Sequence, residues 1–472
     1  MTSSSTPPPR SPGPPRGGDE PAGAIVLGAG VSGLGAARAL ARAGLRVVVL
    51  EAAMGPGGVM ASEVHRGFLA ELGPNTVQEA PALLELAAAA GCAGDLVPAA
   101  AAARKRFVVH RGRLVALPGG PPGLLTTPLL SWRGKARLAT EPWRRRGPGP
   151  QESVAAFFRR RLGSEALPLA DAMGLGVFAG DPDELAIGFA FSRAYALESQ
   201  HGSLLGGLLA TGRHARRVRG ARVTRRLLGF RGGFAELARR LADGLDVRYG
   251  CTALAATREQ PPGREAPAFE LRAVEDGRER TFAAPRLVVA LPAAAAVEVL
   301  APLAAAGRSA LDAIAAIPHA PVAVVALGYR RAQVAHPLDG FGLLAPHHEG
   351  RQILGCLFSS TLFPERAPAD RVLLTAMVGG RRRPRLVELD DRGLVELVCG
   401  ELAELLGVRG EPEMTAVRRW QPGIPQPDAR WPEARDAARA LERANPGLTV
   451  LGSWLAGVGL PDCARAGWEI AP

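Results

Sequence analysis

A doubly wound α/β sheet combined with a second, α+β region is the fold class this sequence predicts, and three observations predict it. Residues 24–27 and 46–50 (RVVVL) are short β-branched runs around a glycine turn and an alanine-rich stretch at 34–43, which read as strand, turn, helix, strand. Strand-like runs return far downstream at 322–328 and 371–378, consistent with a sheet belonging to another domain. The chain then ends in a further glycine-rich strand-turn segment at 450–467, so one domain is expected to be assembled from separated pieces.

Taken in order, Gly44 follows the first helix where a C-cap is needed, and a second helix is expected at 81–90. Residues 106–117 alternate like a hairpin, with FVVH and LVAL on either side of a polar turn at 111–113. A Pro/Gly cluster at 118–123 leads into a stretch that reads as helices and basic loops up to about residue 226, broken by RRRGPGP at 144–150. Gly232 and Gly233 precede an expected helix at 234–241, followed by strands at 245–249, 269–274 and 287–291.

Composition narrows the class. A chain of 472 residues exceeds one growing core, and 47% apolar with 22% charged residues is ordinary globular usage. No segment approaches the roughly twenty uninterrupted apolar residues of a spanning helix. Residues 1–22 hold a serine run and proline clusters without the apolar region of a secretory signal, so a disordered tail is expected. The five cysteines form no C-x-x-C pair and the eight histidines are scattered, which points to a reducing compartment and to no metal site. The net charge of +12 gathers at 104–113, 133–161 and 213–231. No zinc-finger spacing or aromatic interleaving accompanies it, so nucleic acid is not the expected partner; an anionic lipid surface or a small carboxylated substrate is.

The motif with the most chemistry is AIVLGAGVSGLG. Gly28, Gly30 and Gly33 have the G-x-G-x-x-G spacing directly after a strand and before a helix, so a tight turn, a close-approaching pyrophosphate and helix–sheet packing are each provided for. Glu51 ends the second strand, where its carboxylate can accept both hydroxyl protons of a ribose. Gly57 and Gly58 follow at once, then Glu71 and Gly73, while no second strand-coupled glycine motif occurs downstream. That continuity favours FAD over NAD, with electrons taken directly from an organic substrate.

Several segments together resemble the oxygen-dependent protoporphyrinogen oxidase family (HemY type), within the flavin amine oxidase and phytoene desaturase superfamily. They are GAGVSGLGAARAL at 28–40, GFLAELGPNT at 67–76, KRFVVHRGRLVALP at 105–118, VFAGDPDEL at 177–185, FRGGFAEL at 230–237, DGFGLLAP at 339–346, RRWQPGIPQ at 418–426 and GVGLPDCARAG at 457–467. The chain departs from the family where Gln426 leads into PDARWP and at Ser453.

The resemblance implies a glutathione-reductase-like FAD-binding Rossmann domain at 23–104, 227–297 and 427–472, and a mixed-sheet substrate domain at 105–123 and 298–426. It also implies an inserted helical, membrane-docking domain at 124–226. FAD contacts would come from Gly28, Ala29, Gly30, Val31, Ser32, Gly33, Glu51, Gly57, Gly58, Gly73, Pro74, Asn75, Thr76, Ala253, Val458, Gly459 and Leu460. Arg106 would pair with a substrate propionate, and Phe341, Gly342 and Leu344 would shape the tetrapyrrole site, with Leu343 a further candidate for its wall. The implied reaction is oxidation of protoporphyrinogen IX to protoporphyrin IX with oxygen as acceptor, and no side chain need act as catalyst because the flavin carries the chemistry. Coproporphyrinogen III, another desaturase or amine oxidase substrate, and non-catalytic flavin binding stay open. A cytoplasmic protein on the inner face of the cell membrane, a monomer or homodimer handing product to ferrochelatase, completes the expectation.

Overall fold

The structure, a computed structural model, describes residues 22–118, 123, 126–217, 226–259, 268–304 and 308–471. The expected tail up to residue 21, most of the Pro/Gly cluster and the arginines between 218 and 225 lie outside the described residues.

Five parallel strands form the first sheet, in the order Asp246–Tyr249, Val47–Glu51, Ala24–Leu27, Leu287–Val289, Leu448–Val450. Its central strand is covered on both faces, with all four residues 0% exposed, which is why apolar residues run there without alternation. Helices Val31–Arg42, Phe234–Ala242 and Leu460–Trp468 pack on one face. The other face carries Ala293–Leu300, Ser309–Ala315, Trp431–Ala444 and an antiparallel meander of Cys251–Glu259, Ala268–Glu275 and Arg278–Ala284. The first helix starts at Val31 rather than at residue 34, because burial of its first turn outweighs the low propensity of Gly33 and Gly35. It ends at Arg42, and Gly44 at φ +86° supplies the left-handed step beyond its C-cap.

Seven strands form the second sheet, in the order Met414–Pro425, His319–Arg330, Arg371–Gly379, Ile353–Leu357, Gly342–Leu344, Arg106–His110, Arg113–Ala116. Neighbours are antiparallel except Gly342–Leu344 beside Arg106–His110. The hairpin closes through Arg111 and Gly112, at φ 52° and 72°, the geometry of a two-residue turn. Helix Asp391–Leu406 packs Leu394, Val398 and Leu402 on one face of this sheet, and the other face meets Phe68 and Leu72 of the first domain. Leu303, Leu311, Ile314 and Ile317 pack in the first sheet's core, and the long strand of the second sheet that follows them begins at His319.

Between the Arg106–Ala116 hairpin and the strand Leu227–Phe230 the described chain is helical, over Trp132–Ala139, Val154–Leu162, Leu167–Phe178, Ile187–Ala190, Ser192–His201 and Leu204–Arg217. Phe157, Phe158, Phe178, Leu185 and Ile187 supply its apolar core. Among the described residues no helix is long and apolar enough to cross a membrane.

Candidate active site

The glycine turn divides its work among three positions. Gly28 sits at φ +93°, and a Cβ there would lie 2.7 Å from the Ala290 carbonyl oxygen; a Cβ at Gly33 would lie 1.9 Å from that of Gly28. Gly30 is different, since a Cβ there would meet nothing within 4 Å. It also begins the helix with no side-chain cap, leaving the first-turn amides available to an anion. Glu51 Oε2 accepts the N–H of Ala29 at 2.6 Å and Oε1 that of Ala53 at 2.8 Å, which fixes the carboxylate at the strand end with lone pairs to spare for ribose hydroxyls. The open cradle, the uncapped helix start and the tethered acid fit an adenine dinucleotide.

Other expected contacts gather on this unit. Gly57 donates its N–H to Ala29 O at 2.8 Å, and a Cβ at Gly73 would lie 1.8 Å from Val59 O, so the 57–60 loop lies on the first turn and Gly73 lies against that loop. Gly459 begins the helix Leu460–Trp468, and Ser32 Oγ donates to Cys463 O at 3.1 Å, bringing Val458 to Leu460 beside Val31 and Ser32. Burial pushes the Cys463 thiol up to about 11, so it stays protonated as a packing group. Ala253 stands at an irregularity of the meander, half-buried against the second-face core.

Beneath the Gly73 to Thr76 turn lies a buried ion pair that sequence reasoning missed. Glu71 and Arg366 are each 1% exposed, with Arg366 Nη2 donating to Glu71 Oε1 at 3.2 Å. Burial drives the Glu71 carboxyl up to about 7 against the pull of Arg366, the Ser62 hydroxyl and the Phe234 amide. Burial likewise lowers Arg366, with Glu71 opposing. The only signal in the sequence was Glu71 itself, a charge inside an apolar strand that needs a partner.

On the substrate side, Arg106 and Gly342 are register partners on adjacent parallel strands. The exposed Arg106 guanidinium lies 5.0 Å from the centre of the half-buried Phe341 ring, and Lys105 beside it pairs with Asp339. A Cβ at Gly342 would lie 2.3 Å from Cys356 O, so its glycine is demanded by strand packing. Leu344 rests against Gly176 of the helix Leu167–Phe178. Leu343, expected to line the same wall, instead is 2% exposed in the sheet core, because alternation along the strand turns it the other way.

The segments VFAGDPDEL at 177–185 and RRWQPGIPQ at 418–426 meet. Gln426, 1% exposed, donates from Nε2 to Phe178 O and Ile424 O, both at 2.9 Å, and Gly180 leaves it room. Asp181 accepts two bonds from Arg382, at 2.6 and 2.7 Å, and Trp420 Nε1 donates to Leu72 O at 2.6 Å. Among the described residues one group of metal-ligand types also comes together, His110, His348 and Glu349. Both Glu349 oxygens accept hairpin amides, from Arg111 at 2.8 Å and Gly112 at 3.0 Å, so the group reads as a clamp on that turn.

A family profile described as flavin containing amine oxidoreductase matches residues 31–471. The chloroplastic protoporphyrinogen oxidase of Oryza sativa is 33% identical, over 95% of this chain and 87% of that protein, and that of Homo sapiens is 33% identical over 95% and 97%. A solved candidate protoporphyrinogen oxidase from Exiguobacterium superposes with a TM-score of 0.76 at 23% identity, covering 94% of this chain and 96% of that one. Cyclohexylamine oxidase from Brevibacterium oxydans gives 0.65 at 17%, covering 95% and 98%. Those two likenesses show the fold, and the sequence matches show the family. The chain belongs to the flavin containing amine oxidoreductase family as a protoporphyrinogen-oxidase-like member, an oxidoreductase whose cofactor is FAD.

Proposed function

We propose that the chain oxidises protoporphyrinogen IX to protoporphyrin IX in haem synthesis, in three two-electron steps with molecular oxygen as acceptor. Bound FAD supplies the two-electron acceptor; the chain holds it, through the Gly30 cradle and Glu51, and orients the substrate. The observation that carries the reading is the placement of an exposed arginine over Phe341, on the strand paired with Gly342. A guanidinium there can take a propionate in a bidentate pair while an aromatic face lies beneath it. Overall the porphyrinogen gives up six hydrogen atoms, and three O2 leave as three H2O2.

Anaerobic mixing with protoporphyrinogen IX tests this. Rapid loss of the flavin absorbance, followed by porphyrin fluorescence on admitting air, is the expected result. Faster bleaching by coproporphyrinogen III would transfer the assignment to that substrate, and bound flavin that neither bleaches would leave another substrate or none. Within the same assay Arg106→Ala is expected to raise KM about tenfold or more, the worth of one charge-assisted carboxylate contact, with an unaltered flavin spectrum. An unchanged KM would remove the anchor.

The proposal includes docking on an anionic membrane surface. Trp132, Trp143, Leu208 and Leu209 are 77, 81, 55 and 63% exposed, and the exposed Arg133, Arg144, Arg145 and Arg146 lie next to the two tryptophans in sequence. Apolar anchors among basic residues favour acidic headgroups by about 1 kcal/mol per cation near the surface. The protein is expected to pellet with phosphatidylglycerol vesicles at low salt and to be released as salt rises. Failure to pellet at any salt would reject docking.

A further inference from the structure

Arg366 belongs to the second domain yet ends among residues of the first. Nη2 donates to Asn75 O at 3.0 Å as well as to Glu71, and Nη1 donates to Asn75 Oδ1 at 3.4 Å. Asn75 is 7% exposed, and its Nδ2 donates back to Gly73 O at 3.3 Å, so the arginine and the amide together close the Gly73 to Thr76 turn. Glu71, one turn-width upstream, is held by the Ser62 hydroxyl at 2.5 Å and the Phe234 amide at 3.1 Å. On its other side the Arg366 guanidinium lies 4.2 Å from the centre of the Phe363 ring. Phe363 shares an apolar cluster with Phe341, the ring beneath Arg106. The contacts therefore run from the substrate strand, through Phe363 and Arg366, to the turn.

Charge neutralisation alone does not account for this. A buried ion pair is a poor source of stability, and a well-packed apolar pair of similar volume would fold as well or better. An apolar side chain, however, leaves both Asn75 oxygens without Arg366, and these are the groups that shape the turn.

Resting on the reading of Gly73 to Thr76 as part of the FAD site, we propose that Arg366 is a positioning residue for the cofactor. By gripping Asn75 at two oxygens it fixes the flavin-side turn and ties it to Phe341, the residue that leads into the strand Gly342–Leu344.

The test uses the full-length chain and FAD itself as the probe. Far-UV circular dichroism and thermal melting of the apoprotein report folding, while fluorescence quenching gives the FAD Kd and the visible spectrum reports the flavin environment. Arg366→Met combined with Glu71→Gln leaves no unpaired buried charge. It is expected to melt like the native apoprotein and yet bind FAD at least about tenfold more weakly, with a displaced flavin band. Arg366→Lys keeps the charge but cannot serve Glu71 and both Asn75 oxygens at once, and a similar loss is expected. Native FAD affinity in the double variant would show that Arg366 merely neutralises Glu71, and would overturn the proposal. Should the double variant not fold, native affinity in Arg366→Lys overturns it instead. A native chain that takes up no FAD would remove the flavin reading and this inference together, an outcome distinct from variants that bind as the native chain does.

Discussion

Gly30→Val should give a folded, colourless protein. The backbone at Gly30 is extended (φ −74°, ψ 176°), a conformation any residue adopts, and the space in front of its Cα contains no protein atom within 4 Å of an added Cβ. The substitution therefore costs the apoprotein little. Its methyl groups, though, would occupy the volume in which a diphosphate reaches the first-turn amides, and a phosphate held off by the width of a methyl loses those hydrogen bonds together with the helix dipole. A loss of at least about 100-fold in FAD affinity is expected, or about 2.7 kcal/mol. Gly33→Ala, three residues away in the same motif, should fail for the opposite reason. Its Cβ would press on Gly28 O at 1.9 Å, and Gly28 is itself tied by its N–H to Leu50 O at 2.8 Å. Neither strand nor helix can yield, so about 3 kcal/mol or more of destabilisation is expected. Melting of the two apoproteins beside an FAD titration separates the effects, since bound cofactor raises the melting point on its own account. A Gly30→Val chain that binds FAD as the native one does would refute the cradle.

These two glycines also show why the nucleotide unit was legible. Each reason is local: a strand, a turn and a helix that touch within a few residues of one another, with Glu51 at the end of the next strand. The substrate wall was less so. Arg106 lies beside Gly342 through a parallel pairing of segments far apart in the chain, and periodicity carries no information about which runs pair. Resemblance supplied those residues, and geometry then separated them: Phe341 stacks on Arg106, Gly342 is required by its neighbour strand, and Leu343 turns into the core. The meander strand Arg278–Ala284 and the helix Asp391–Leu406 went unread, the first because its charged, largely exposed face hides the alternation. Arg366 was invisible for another reason. FPERAP reads as a polar loop, and only the folded chain shows that its arginine points inward at Glu71.

Arg161→Leu should unfold the helical region, or destabilise it by about 3–5 kcal/mol, the usual result of removing one partner from a buried ionic network. Arg161 and Glu141 are both 0% exposed, and Glu198 is 3% exposed. The guanidinium spends every direction: Nε donates to Glu198 Oε1 at 2.7 Å, Nη1 to Arg144 O at 3.1 Å, and Nη2 to Gly202 O at 2.6 Å. Leucine would leave the carbonyls of Glu141, Arg144 and Gly202 and a share of two carboxylates unsatisfied in a closed space. Arg160 cannot replace it, being already engaged with Glu152 at 2.6 Å and with Glu198 Oε1, the oxygen that Arg161 also uses, at 2.7 Å. Glu141→Gln added to Arg161→Leu should restore only part of the loss, because Glu141 also accepts Ser203 Oγ at 2.6 Å and the Leu204 N–H at 2.9 Å, capping the helix Leu204–Arg217. The same network predicts a sign for pH. Burial alone would raise Glu198, but the hydrogen bonds and charges of Arg160 and Arg161 outweigh it and hold the carboxyl below its ordinary range. A lowered native value means that this group stabilises the fold above the unfolded value of about 4.3 and that its contribution is lost as pH falls through the native one. Protection of helix Val154–Leu162 against hydrogen exchange, taken relative to the intrinsic rate at each pH, should therefore fall in acid in the native chain, and be low already at neutral pH in Arg161→Leu. Equal protection in both chains at neutral pH would show that the network holds nothing together.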